Sequence, residues 1–421
     1  MNVGRNIYLR RINECKFRHK QIKSYLFALL IISFNFGDYF KIAGRPFSQY
    51  ISLALMLLSL VDLMGIYYRY KNLKKEQKIV LLFIALWAFV SLIQIIWVSD
   101  MASWKLGIRS LLINLFICFE MCVLFQEDED YVLVMKSIEI SLILSTAVGL
   151  CEIFTGVHFD SKAEAAAFGS EIRSFLGNPN DYATWIILCL LGVTLYYANQ
   201  KRKYICMIEW IFGAYIIYHS KSRAGMLSVL VAVFFMIVGA ILKAGRGTKT
   251  DSAKKQKAVH LLGIVSVIAG GGLYLIGGDI AAIIHSVSHS SSSDLYRLSI
   301  IEDSLGVAFK HVLIGAGANQ TTFYVGINPH NFLLEILADY GILIAGMIIF
   351  ILWKIFVRIF EAKTVRFYEI ACYMFIPTFL LISIASSSMA RLRMTWVVLF
   401  LYYFMTGEQI KQRKFSIKIK I

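Results

Sequence analysis

The chain has 421 residues, 58% of them hydrophobic and only 17% charged, with a mean hydropathy of +0.65. Ordinary soluble domains carry roughly 45–50% apolar residues, so the composition excludes a soluble enzyme, a disordered chain and a collagenous one. The net charge is +16, from 43 Lys and Arg against 27 Asp and Glu, but it is not gathered on a solvated face as in a nucleic-acid-binding domain. Apolar runs recur along the whole length, each near the roughly 20 residues that a helix needs to cross a bilayer.

Residues 1–23 form a basic arm without an apolar core, which reads as cytoplasmic and not as a cleaved signal peptide. Twelve apolar segments follow, at 24–40, 46–68, 79–98, 107–125, 134–155, 181–198, 205–219, 224–243, 259–278, 331–353, 368–385 and 394–406. Asp38 weakens the first, and the seventh is short. Basic residues in the connections set orientation. Thirty Lys and Arg fall on the side of the two termini and eleven on the other, with the remaining two, Arg109 among them, inside spans. The expectation is an all-α integral membrane protein of about twelve transmembrane helices with both termini cytoplasmic. The membrane domain covers 24–406 and a basic cytoplasmic tail covers 407–421. Two longer connections, 156–180 and 277–330, lie outside. In the second, apolar positions 295, 298, 301, 305 and 309 recur at helical spacing, which predicts an amphipathic helix along the outer surface before span ten.

Four polar features mark the outer face. Ser220-Lys221-Ser222-Arg223-Ala224-Gly225 places two cations in a very tight connection; simple snorkelling to headgroups is the bland alternative. Arg297 lies on the predicted amphipathic helix, where an ion pair with Asp294 or Glu302 is the competing explanation. In the stretch Asn328-Pro329-His330-Asn331, Pro329 blocks helix in the residue before it, so a helix begins at His330 and Asn331. Asn331 is the natural cap of that helix, and Glu335 and Asp339 fall one and two turns in. Acids entering a span are expensive and point to function or to burial against other helices. Arg391 and Arg393 form the fourth cluster. Arginines and a histidine outside a membrane suit the holding of a diphosphate. The guanidinium fork matches phosphate oxygens, and histidine shifts between base and cation near pH 7.

Other residues carry less. The seven cysteines lie mostly inside spans, which is a packing pattern and not a disulfide framework. His285 and His289 are spaced like a metal pair but border the run Ser290 to Ser293, so no metal site is expected.

Taken together, Arg173-Ser-Phe-Leu-Gly-Asn-Pro-Asn180, Ser-Lys-Ser-Arg223-Ala-Gly, Leu313-Ile-Gly-Ala-Gly317, His330-Asn331, Glu335 and Tyr340-Gly341-Ile-Leu-Ile-Ala-Gly346 resemble the Wzy polymerase / O-antigen ligase superfamily of bacterial surface-polysaccharide assembly. The resemblance covers roughly residues 150–360. It implies transfer of a glycan from an undecaprenyl-diphosphate carrier to an acceptor hydroxyl, on the external face of the bacterial cytoplasmic membrane, without metal or other cofactor. It implies further that Arg223 and Arg297 engage the lipid diphosphate and that His330 activates the acceptor, making these three the catalytic candidates. Lys221, Arg173, Asn180, Asn331, Glu335, Arg391 and Arg393 are the candidate substrate-binding residues. The expected partners are the lipid-linked oligosaccharide, the bilayer, a chain-length regulator and a flippase, with no nucleic acid.

Two classes of function remain open. One is a polysaccharide polymerase, or a ligase that differs only in acceptor; with no paired external carboxylates, direct displacement with inversion is the expected chemistry. The other is a lipid-linked oligosaccharide flippase or other transporter, which the acids Asp62, Glu120, Glu139 and Glu209 within apolar segments would serve.

Overall fold

A computed structural model describes residues 19–37, 39–125, 128–159, 169, 171–198, 200, 202–245, 292–361, 367–384 and 388–407. Most of the arm, the ninth apolar segment (259–278), the His285–His289 pair and the tail beyond 407 lie outside the described residues. The chain is almost wholly helical: α1 (19–33), α2 (Phe47–Val61), α3 (Leu63–Lys71), α4 (Lys75–Ile93), α5 (Met101–Leu124), α6 (Asp128–Thr155), α7 (Pro179–Tyr197), α8 (Lys203–His219), α9 (Arg223–Gly245), α10 (Ser292–Lys310), α11 (Gln320–Val325), α12 (Phe332–Glu361), α13 (Phe367–Ile382) and α14 (Arg393–Gly407). A two-residue hairpin, β1 (Lys41–Ile42) and β2 (Arg45–Pro46), pairs antiparallel between α1 and α2. Among the described residues, five helices are long and apolar enough to cross a membrane, and six if the bent pair α2–α3 is one span. This is a multi-pass membrane protein.

Two helices form the centre. Every residue of α7 from Tyr182 to Leu195, and of α14 from Met394 to Phe404, is buried. A helix apolar on all sides is stable only when enclosed. The two pack together, with the Tyr402 hydroxyl donating to the Leu191 carbonyl at 2.8 Å and Tyr402 stacked on Phe375 at 4.0 Å. Around them the outer helices turn large apolar side chains outward, among them Leu82, Phe89, Met207, Ile211 and Phe234. That is the surface expected toward lipid tails.

Helix starts follow local chemistry. The Asp100 carboxylate accepts the N–H groups of Ala102 and Ser103 to cap α5, and Asn178 accepts the Asn180 N–H to cap α7, whose first residue is Pro179. Two predicted spans are interrupted. The segment 46–68 bends by 80° between α2 and α3. At the bend, Asp62 is buried and bound by Arg69 at 2.5 Å, with Lys23 at 3.8 Å, and a Cβ on Gly65 would lie 2.1 Å from Asp62 Oδ1. The tenth span extends to Glu361 and is broken at Gly341, where φ is 79°. The predicted amphipathic helix is α10, which lies along α12. Its buried face is Ile300, Ser304 and Ala308, while Leu298, Leu305 and Phe309 of the expected apolar stripe are exposed.

Candidate functional site

Segments 94–101, 173–178, 219–223, 311–331, 383–384 and 388–393 gather at one end of the bundle, joined by hydrogen bonds from Ser99 and Asp100 to Gln320, from Phe332 to Ser383, and from Asn114 to Ala390. Nearly all the residues singled out in the sequence lie at this end.

The first group surrounds Arg223. Only Ser220, Lys221 and Ser222 separate α8 from α9, and Lys221 takes a left-handed φ of 54° to make the turn. The Ser222 hydroxyl donates to Asn180 Oδ1 at 2.8 Å and accepts the Gly225 N–H at 3.2 Å. A Cβ on Gly225 would sit 2.8 Å from the Ala183 methyl, so the glycine lets α9 close on α7. Half-buried Arg223 is the first residue of α9, and exposed Lys221 precedes it. A helix N-terminus already carries partial positive charge and favours anions. Two cations there strengthen an anion site and do nothing for the helix.

The second group is built on the break in α12. The strap 311–319 enters that break: the N–H groups of Ala316 and Gly317 donate to the carbonyls of Ala338 and Asp339, and the Ile342 N–H donates to Val312 O. Gln94 donates to the carbonyls of Ile314 and Asp339 at 2.5 and 2.7 Å, and the Trp97 indole to Gly315 O at 3.1 Å. A Cβ on Gly315 would meet the Asp339 carbonyl at 2.3 Å, and one on Gly341 would meet Leu313 O at 2.4 Å. The two glycine motifs therefore face each other. Asp339, buried two turns into α12, accepts the N–H groups of Asn319 and Thr321 and the Thr321 hydroxyl, and so fixes the start of α11.

Asn319 Oδ1 accepts a hydrogen bond from exposed Arg391, whose charge also acts on Glu335 and Asp339. Buried Glu335 accepts the Ser388 hydroxyl at 2.6 Å. Asn331 caps α12 by accepting the Leu334 N–H at 3.0 Å, and half-buried His330 precedes it with a left-handed φ of 52°. Non-glycine residues held at positive φ are uncommon, and such strain clusters at functional sites.

Arg297, Arg173 and Arg393 are the remaining candidates. Arg297 is half-buried near the start of α10. Arg173 is fully buried, its guanidinium donating to the carbonyls of Gly169 and Glu171 while its N–H and that of Ser174 bind Glu152. Arg393 packs over the Phe34 ring at 5.3 Å and donates to Ser48, away from Arg391's partner Asn319. Asn319, Asn114, Ser388 and Gln94 went unnoticed in the sequence. Asn114, in the middle of an apolar helix, was the one signal available. Among the described residues, no group of three or more His, Cys, Asp or Glu is placed to hold a metal ion.

Asp62, Glu120 and Glu139, at the opposite end, have partners. Lys23 lies 3.6 Å from Glu120 and 3.8 Å from Asp62, Arg69 binds Asp62, and the Ser59 hydroxyl binds Glu120. Glu139 accepts the Tyr197 hydroxyl.

Comparison with known proteins gives two matches. The family described as O-antigen ligase matches residues 210–351, a stretch that holds Lys221, Arg223, Arg297, His330, Asn331 and Glu335. The chain is also 21% identical over 411 residues to the teichuronic acid biosynthesis protein TuaE of Bacillus subtilis (strain 168), covering 88% of this chain and 81% of that protein. The chain is thus similar to the O-antigen ligase family over the stretch that carries its Arg223, Arg297 and His330 motifs, and to a polysaccharide biosynthesis protein over most of its length.

Proposed function

We propose that the protein is a polysaccharide polymerase, transferring a glycan from an undecaprenyl-diphosphate carrier to a hydroxyl of the next lipid-linked repeat unit. The observation that carries this reading is the single family-matched stretch, 210–351, that contains both candidate arginines and the histidine. Its setting is a frame of twelve spans with cytoplasmic termini, the arm 1–23 and tail 407–421 flanking a membrane domain, and the site end outside the bacterial plasma membrane. Arg223, set at the N-terminus of α9 with Lys221, holds the diphosphate together with Arg297 and stabilises the charge that grows on it as the glycosidic bond breaks, usually the largest catalytic contribution. His330 takes the proton of the attacking hydroxyl. Attack on the anomeric carbon opposite the departing diphosphate inverts its configuration. A flippase and a chain-length regulator supply and limit the substrate.

A ligase with the same chemistry is the second reading, favoured by the description of the matched family itself. The transporter reading is weakened at Asp62 and Glu120, which are paired with Arg69 and Lys23, while Glu209, with one oxygen that makes no hydrogen bond among the described residues, still fits it. The deciding experiment incubates purified protein with lipid-linked repeat units alone, without ATP or metal. A ladder of longer products supports polymerase. Product only on addition of a different acceptor supports ligase, and no product with either removes glycan transfer.

A further inference from the structure

Between α5, α12 and the turn at 388–391 lies a narrow cleft, walled by Trp87, Ser110, Asn114, Asn319, Glu335 and Arg391, with Asp339 at its side. Three polar atoms of these walls make no hydrogen bond among the described residues: Glu335 Oε2, Asn114 Oδ1 and Trp87 Nε1. Their residues are only 5%, 3% and 2% exposed. Most buried polar groups in folded proteins are satisfied, so a cleft that gathers two open acceptors and an open donor is suited to a polar ligand.

The chemistry of that ligand follows from the charges. Glu335 and Asp339 both act on Arg391, so two carboxyl groups stand against one guanidinium, which Asn319 already engages. A phosphate brings more negative charge and only acceptors, and it cannot satisfy Glu335 Oε2 or Asn114 Oδ1. A sugar hydroxyl is neutral, donates one hydrogen bond and accepts others. We propose that the cleft receives a hydroxyl-bearing arm of the acceptor sugar, with Glu335 Oε2 and Asn114 Oδ1 accepting its O–H groups and the Trp87 indole donating to a sugar oxygen. This rests on the glycan-transfer reading above and divides the site end in two. Arg223 and Arg297 serve the lipid diphosphate, whereas Arg391 belongs to the acceptor.

The test uses the full-length protein and, as acceptors, the lipid-linked repeat unit extracted from producing cells and synthetic versions each lacking one hydroxyl. A site built to bind a hydroxyl rejects the analogue without it strongly. With the wild-type protein, one deoxy position is expected to lower acceptor kcat/KM by about 100-fold or more. In Glu335→Gln that penalty shrinks to within about threefold, because the two changes remove the same contact, and the donor KM stays as in the wild type. Active wild-type protein with a flat deoxy series overturns the cleft alone, as happens if it holds only water. A raised donor KM in Glu335→Gln also overturns it. Wild-type protein that transfers to no acceptor takes down the glycan-transfer reading as well. The wild-type series does not depend on any variant folding.

Discussion

The Ser222 hydroxyl reaches across 42 residues of sequence to Asn180, donating at 2.8 Å while it accepts the Gly225 N–H. One oxygen thus caps α9 and ties it to the start of α7. Ser222→Ala removes a helix cap, about 1 kcal/mol, and a buried hydrogen bond, about 1 kcal/mol. The expected outcome is a lower Tm in detergent and a several-fold drop in polymer yield, as Arg223 loses its fixed position. Combined with Asn180→Ala, the losses should be less than additive, which a four-way comparison of Tm reads directly.

Arg223→Ala and Arg297→Ala are each expected to leave the protein in the membrane at normal abundance and to abolish long polymer. Immunoblots and polymer gels from a strain lacking the native gene make the comparison. Normal polymer length from both variants, and from the corresponding histidine variant, removes the proposed site.

His330 needs a replacement suited to its backbone. At a φ of 52°, asparagine is tolerated and a β-branched residue is not. His330→Asn should therefore keep the wild-type Tm while transfer falls by about 10²–10⁴-fold, the usual worth of a general base. His330→Val should lose Tm too. Equal turnover in wild type and His330→Asn would show that the acceptor proton goes elsewhere.

The strap and the broken helix predict a paired effect. Gly341→Ala forces a Cβ to 2.4 Å from Leu313 O at a φ of 79°, and Gly315→Ala forces one to 2.3 Å from the Asp339 carbonyl. Each should destabilise by about 2 kcal/mol or more, from left-handed strain and steric displacement. Because both open the same joint, the double variant should be little worse than either single one, as thermal unfolding in detergent will show.

Asp100 gives a pH dependence. The Ser103 side chain and backbone, with the Ala102 N–H, hold its carboxyl below the ordinary carboxylate range. A depressed folded-state pKa means that the cap's contribution is present above the unfolded pKa and is lost as pH falls through the folded one. The Tm gap between wild type and Asp100→Ala should be constant near neutrality and should close as pH drops through that acidic window. A gap unchanged across it would mean that the charge contributes nothing.

Local features were legible where neighbouring residues set them. The Ser-Lys-Ser-Arg223 turn, the Pro179 start of α7 and the Asn331 cap all follow from a few adjacent positions. Features closed by distant partners were not. Nothing near Gly341 announces that the Val312 carbonyl will take the Ile342 N–H, and nothing near Asp62 announces Arg69 and Lys23 together. Arg173 shows the converse, because it sits inside a motif of the resemblance yet spends its guanidinium on the backbone carbonyls of Gly169 and Glu171. For α10 the spacing gave the helix but not its facing. Its buried face is Ile300, Ser304 and Ala308, and Ala308 packs against Leu334 and Ala338 of α12.

The charge cluster of Lys23, Asp62, Arg69 and Glu120 bears on how the protein is made. Lys23 and Glu120 are 1% and 0% exposed, and a buried ion without its counterpart costs about 3–5 kcal/mol. Lys23→Met should therefore lower the amount of folded protein sharply, and Glu120→Gln in the same chain should restore part of it. During synthesis the same arithmetic sets a schedule. α1 carries Lys23 without its nearest counter-ion until α5 has emerged with Glu120, whereas the bent α2–α3 pair brings its own Asp62–Arg69 ion pair. All four ions of the cluster lie within residues 23–120, so they can be paired before α6 and the helices after it are made.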